Sequence, residues 1–175
     1  SQNDVLPQIL QYSNQIILDL CLDAMPKNSY PEQWLLSSLD AELFRIYSLK
    51  LNLVDLASQS DKQHIITTIN KAVDTLFAEK ISSIGSEIFI QVAKQIFLTV
   101  LDGEWKDHLL SLDKLRQGIN LRAYAQKDPF IEYKKEAFSL YEDMMLRIEE
   151  NIVSHLSHVQ ITKSENSSSP EVIKD

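Results

Sequence analysis

Apolar residues recur along this chain at the 3.6-residue period of helices, not in the alternation of strands. Leu6, Ile9, Leu10, Ser13, Ile16, Ile17 and Leu20 share one face of a first helix, with Asn3 or Asp4 placed to cap its start and Met25-Pro26 placed to stop it. Residues 28–52 change texture. Ser29-x-x-Glu32 has capping-box spacing around Pro31, Trp34 and Leu35 follow, and Ser38 to Leu49 supplies a short periodic run, a pattern of small packed helices. A second box, Ser60-x-x-Gln63, opens a periodic stretch from about Asp61 to Gln117, far longer than a usual globular helix, with Gly85 the expected point of a kink.

In its second half, Phe97, Leu101, Trp105, Leu109, Leu112, Leu115 and Ile119 fall on one stripe that needs a partner. Asp128-Pro129 is a cap followed by proline at the first helical position. From there Tyr133, Ala137, Tyr141, Met144, Ile148, Ile152 and Leu156 provide that partner, which predicts an antiparallel helical hairpin. After Gln160 the composition turns to Ser, Asn, Glu and Lys, so residues 161–175 are expected to be a flexible linker or tail. The fold class is therefore all-α: long helices forming a two-helix hairpin, with a small inserted helical subdomain.

Composition sharpens this picture. Average usage would give about 12 glycines, and the chain has 3 in 175 residues, which argues against an all-β sandwich. The lone Cys21 can form neither an internal disulfide nor a cysteine-rich zinc site, so a reducing compartment, the cytoplasm, is expected. No apolar run reaches the length of a membrane span. The start, Ser1-Gln2-Asn3-Asp4, lacks Met and a basic-then-apolar segment, and reads as an excised boundary and not as a signal peptide. The first helix is then expected to lack partners supplied from elsewhere, leaving apolar surface that favours a homodimer.

The net charge of −8 argues against a surface that grips nucleic acid over its whole extent. Residues 114–135 are the exception. Lys114, Arg116, Arg122, Lys127, Lys134 and Lys135 face only Asp128 and Glu132, for a local charge of +4 around Leu121 and Tyr124 at the hairpin turn. A stalk of about 25 residues would hold that tip roughly 37 Å from its base. Three readings stay open on these residues alone: a contact probe, a nucleic-acid or anionic-membrane binder using the basic turn, and an inert solvated turn on a structural spacer.

Trp105 reads as an interior aromatic. Glu104 and His108 lie one turn apart, but the paired Glu-x-x-His signature of di-iron bundles is absent, so no metal site is assigned. His155 and His158 read as cations favoured by the end of the last helix. The sequence shows no phosphate-binding glycine loop and no catalytic motif, so this segment is not expected to be an enzyme by itself.

Leu101-Asp102-Gly103-Glu104-Trp105-Lys106-Asp107-His108-Leu109, Leu115-Arg116-Gln117-Gly118-Ile119-Asn120-Leu121-Arg122-Ala123-Tyr124-Ala125-Gln126-Lys127-Asp128-Pro129, then Glu132-Tyr133-Lys134 and Phe138 closely resemble the C-terminal part of the SecA family of bacterial preprotein translocase motors. A looser likeness runs upstream through Pro26 to Trp34, so that about 160 residues are covered.

The resemblance implies that residues 1–27 end a long scaffold helix, 28–95 form a helical wing domain, and 96–160 return to the scaffold as a two-helix finger. It implies finger-tip contact with preprotein and the SecYEG channel through Tyr124, Leu121, Arg122, Gln126 and Lys127, with Trp105 and Arg116 in regulatory scaffold positions. It further implies SecA motor domains as partners, anionic lipid at the cytoplasmic face of the inner membrane, and no nucleic acid. It implies too that this part carries no cofactor and that ATP and Mg belong to motor domains outside it. The family tip commonly reads Arg-Gly-Tyr where this chain has Arg122-Ala123-Tyr124, which slightly restricts the turn. The cysteines that hold zinc at the C-terminus of many members are not in this sequence.

Overall fold

A computed structural model describes residues 5–57, 61–119, 121, 128–162 and 171–173. Six helices follow one another: α1 (Val5–Ala24), α2 (Leu36–Tyr47), α3 (Leu53–Ala57), α4 (Lys62–Ile84), α5 (Ser86–Gly118) and α6 (Pro129–His158), with a 3-10 turn at Pro31–Gln33. The all-α expectation holds for this body. In the stretch read as linker, residues 161–175, the described part forms a minimal ribbon with Gln160, β1 (Gln160–Thr162) pairing antiparallel with β2 (Glu171–Ile173).

The helix boundaries follow local chemistry. The first helix stops at Ala24, and Met25 donates its N–H back to Cys21 O at 2.9 Å. Asn3 and Asp4, expected caps, lie outside the described residues. The expected box at Ser29 and Glu32 sits one residue later: Tyr30 N–H donates to Gln33 Oε1 at 3.0 Å. Ser29 instead gives its hydroxyl to Pro26 O at 2.7 Å and accepts from Trp34 Nε1 at 3.0 Å, tying the turn after α1 to the indole. At α4 the cap is Asp61, whose carboxylate accepts from His64 N–H at 2.8 Å, while Ser60 lies outside the described residues. A carboxylate one residue nearer the helix takes the position that the Ser60 spacing suggested. The cap at Asp128 is as expected, accepting from Phe130 N–H at 2.9 Å with Pro129 leading the helix.

Gly85 is a break and not a kink. Its φ of 89° and ψ of 146° lie in a region that only glycine occupies at low cost, and the chain turns by 113° between α4 and α5. That turn sends α4 back along α1 and lets α5 leave to pair with α6.

The core lies where α1, α2 and α4 meet the first half of α5 and the second half of α6. Ile9, Ile17, Leu43, Ile46, Ile65, Ile69, Phe89, Ala93, Ile152 and Leu156 are all buried there. The expected face of α1 is largely the buried one, apart from Leu10, which points outward. One buried polar contact crosses the core: the Tyr47 hydroxyl lies 3.0 Å from Ser13 Oγ and donates to Ser13 O at 3.3 Å, with burial pushing the phenol up to about 12.

Beyond Val100 on α5 and Met144 on α6 the hairpin leaves this core, and the deeply buried residues described there are His108 and Ile119. The free arms are 15 to 18 residues long, or about 25 Å at 1.5 Å per residue. This is shorter than the stalk expected from sequence, because the base of both helices is sunk in the core.

Gly85 and Gly103 predict opposite outcomes. Gly85→Ala should cost about 1–3 kcal/mol from backbone strain alone, since a Cβ there meets nothing within 4 Å. Gly103→Ala, in open space on α5, should stabilise by about 1 kcal/mol. Urea unfolding midpoints measure both.

Candidate functional site at the hairpin apex

The apex is built by the last turn of α5 and the first turn of α6. Ile119 turns inward and Leu121 outward, with 73% of Leu121 exposed. Across the turn, Phe130 and Ile131 are also exposed, and Lys134 Nζ lies 5.3 Å from the centre of the Phe130 ring. Apolar side chains beside a cation therefore face outward in the described part of the apex. Arg122, Tyr124, Gln126 and Lys127 lie outside the described residues. Arg116 bonds Asp113 on its own helix at 3.0 Å, and Gln117 donates to the other Asp113 oxygen at 2.8 Å. Arg116 thus stiffens the end of α5.

Below the apex the seam between the helices departs from the expected stripe. The row Leu101, Trp105 and Leu109 lies at its edge with about half of each side chain in solvent, whereas Val100, Glu104 and His108 face α6. Trp105 is 47% exposed, so its reading as an interior aromatic is corrected. The helix is rotated so that its smaller and polar residues meet α6. His108 sits between Trp105, with ring centres 5.7 Å apart, and Tyr141 at 6.2 Å, and this aromatic row bridges the two helices.

The polar clasp of the seam is Glu104. Its Oε2 accepts from Arg147 Nε at 2.9 Å and its Oε1 accepts from Asn151 Nδ2 at 2.9 Å, with only 15% of the Glu104 side chain exposed. Its carboxylate is thus spent on α6 and does not join His108 as a ligand pair. Arg147 and Asn151 were not singled out from the sequence. Their one legible signal was an i, i+4 pair able to reach an acidic residue on a facing helix.

His155 and His158 place Nδ1 at 2.6 Å from Asn151 O and 2.8 Å from Ser154 O, bonding within the last turns of α6. Lys80, half buried on α4, donates to Val159 O at 2.9 Å and holds the end of α6, and burial pushes its ammonium below the usual lysine range. Among the described residues no single helix is long and apolar enough to cross a membrane.

Comparison with known proteins decides the family. Residues 1–160 match the family described as SecA Wing and Scaffold domain. This chain belongs to that family. The Protein translocase subunit SecA of Xanthomonas axonopodis pv. citri (strain 306) is 41% identical over 153 residues, covering 86% of this chain and 17% of that protein. The same-named protein of Stenotrophomonas maltophilia (strain R551-3) is 41% identical over 155 residues, covering 87% and 17%. That of Rickettsia massiliae (strain Mtu5) is 40% identical over 151 residues, covering 85% and 17%. The chain therefore spans about a sixth of the length of these SecA relatives.

The packing around Trp105 and Glu149 makes two further predictions. Trp105→Ala should cost only about 1 kcal/mol, against about 3 kcal/mol for the fully buried Ile152→Ala, both read by urea unfolding. Glu149 is held above the ordinary carboxyl value of 4.5, first by burial and then by Asp19. A raised folded-state value favours the protonated form, so its ionisation opposes folding at neutral pH and the penalty fades as pH falls toward 4.5. Glu149→Gln should therefore raise the melting temperature at pH 7 and leave it unchanged at pH 4.

Proposed function

We propose that this chain is the wing-and-scaffold piece of a SecA-type preprotein translocase and works as a lever. Residues 1–27 end the scaffold helix, 28–95 form the wing, 96–160 form the two-helix finger, and 161–175 lead out of the unit. The apex of the finger touches the translocating polypeptide and the mouth of the SecYEG channel through Tyr124, Leu121, Arg122, Gln126 and Lys127. The observation that carries this reading is the hairpin itself. Two long antiparallel helices clasped by Glu104 project free of the core and carry exposed Leu121, Phe130 and Ile131 beside a cation.

The chemistry of such an apex suits a motor with many substrates. Exposed apolar and aromatic groups engage most side chains by area and stacking and need no particular sequence. Nearby cations favour acidic surfaces such as anionic lipid headgroups. A helix pair resists bending, so a displacement at its base reaches the tip. ATP and Mg would act on motor domains in the other five-sixths of the relatives' length, and this piece would restrain and relay their work without hydrolysing nucleotide itself.

Tyr124→Ala in the full-length protein should lower preprotein transport into membrane vesicles more than tenfold while leaving the melting temperature of the 175-residue chain unchanged. Transport at the wild-type rate would reject the tip assignment. Salt-dependent binding of the chain to DNA, with a log-log slope near the cation count of the turn, would favour the nucleic-acid reading instead.

A further inference from the structure

One turn of α6 carries two unrelated polar contacts. On one side Glu150 Oε1 lies 2.7 Å from Nη1 of Arg45, near the end of α2. On the other, Arg147 and Asn151 hold the two oxygens of Glu104 on α5, each at 2.9 Å. Arg45 is itself fixed from behind, with Nη2 and Nε at 2.6 and 3.0 Å from Glu42 Oε2 on its own helix. A guanidinium braced by one carboxylate gives the other a defined direction, which a single exposed ion pair does not.

We propose that Arg45 is a positioning residue for the finger: through Glu150 it fixes the Arg147–Asn151 turn of α6, and that turn in turn sets how tightly α5 is clasped through Glu104. A shift of the wing side would then change the grip between the two finger helices without any contact between wing and tip. This deepens the lever reading above, because it names the residues through which wing and finger move together.

Amide hydrogen exchange on the 175-residue chain tests it without channel or nucleotide, so its outcome is separate from that of the Tyr124 experiment. Arg45→Met should speed exchange at α5 residues 100–108 about two- to fivefold at low salt. The increment should vanish when Glu104→Gln is already present, shrink in 1 M NaCl, and be partly restored by Arg45→Lys. Arg45 and Glu104 share no direct contact, so independent roles predict additive effects. Additivity, or faster exchange confined to α2 and α6, overturns the proposal. Glu150→Gln removes the same tie while leaving α2 intact, and must give the same pattern should Arg45→Met fail to fold.

Discussion

The structure depends on the seam between α5 and α6. At its base this seam is apolar and shared: Val100, Met144, Ile148, Ile152 and Leu156 are buried together with α1, α2 and α4. Farther out it is a contact between two helices only, and Leu101, Trp105 and Leu109 stay about half in solvent. The outer seam therefore relies on fewer and more directional contacts, the Glu104 clasp and the Trp105–His108–Tyr141 row. A carboxylate with both oxygens satisfied and little exposure costs less to hold than an unpaired one, and it also fixes the register of the helices.

That division explains how a rod can be anchored firmly and still project. Gly85 turns the chain by 113°, so α4 serves the core while α5 leaves it. Lys80 on α4 then grips the end of α6 at Val159, closing the base of the hairpin. Arg45 adds a third tie from α2. The contacts that orient the hairpin thus come from three helices and lie at or just above its base, and the outer arms and apex remain available for other surfaces.

Leu101, Trp105 and Leu109 form a half-exposed row. An apolar stripe in a helix of 33 residues was legible, but along this part of α5 the side chains that meet α6 are Glu104 and His108, each one residue before Trp105 and Leu109 and so about 100° away around the helix. Hydrophobic periodicity does not count a glutamate or a histidine.

Helix class, the Asp128-Pro129 start, the antiparallel pairing of α5 with α6 and the membership carried by residues 101–138 were all present in the sequence, because each follows from local propensity, capping or a dense motif. The caps of α4 and of the 3-10 turn fell one residue away from their sequence signals, since neighbouring polar side chains compete for the same N–H groups. Only the tertiary structure decided that Gly85 is a break, that Trp105 stands at the edge of the seam, and that Glu104 reaches Arg147 and Asn151. Those outcomes depend on which face of one helix another covers, a choice made by the shape of the whole core, which no window of sequence contains.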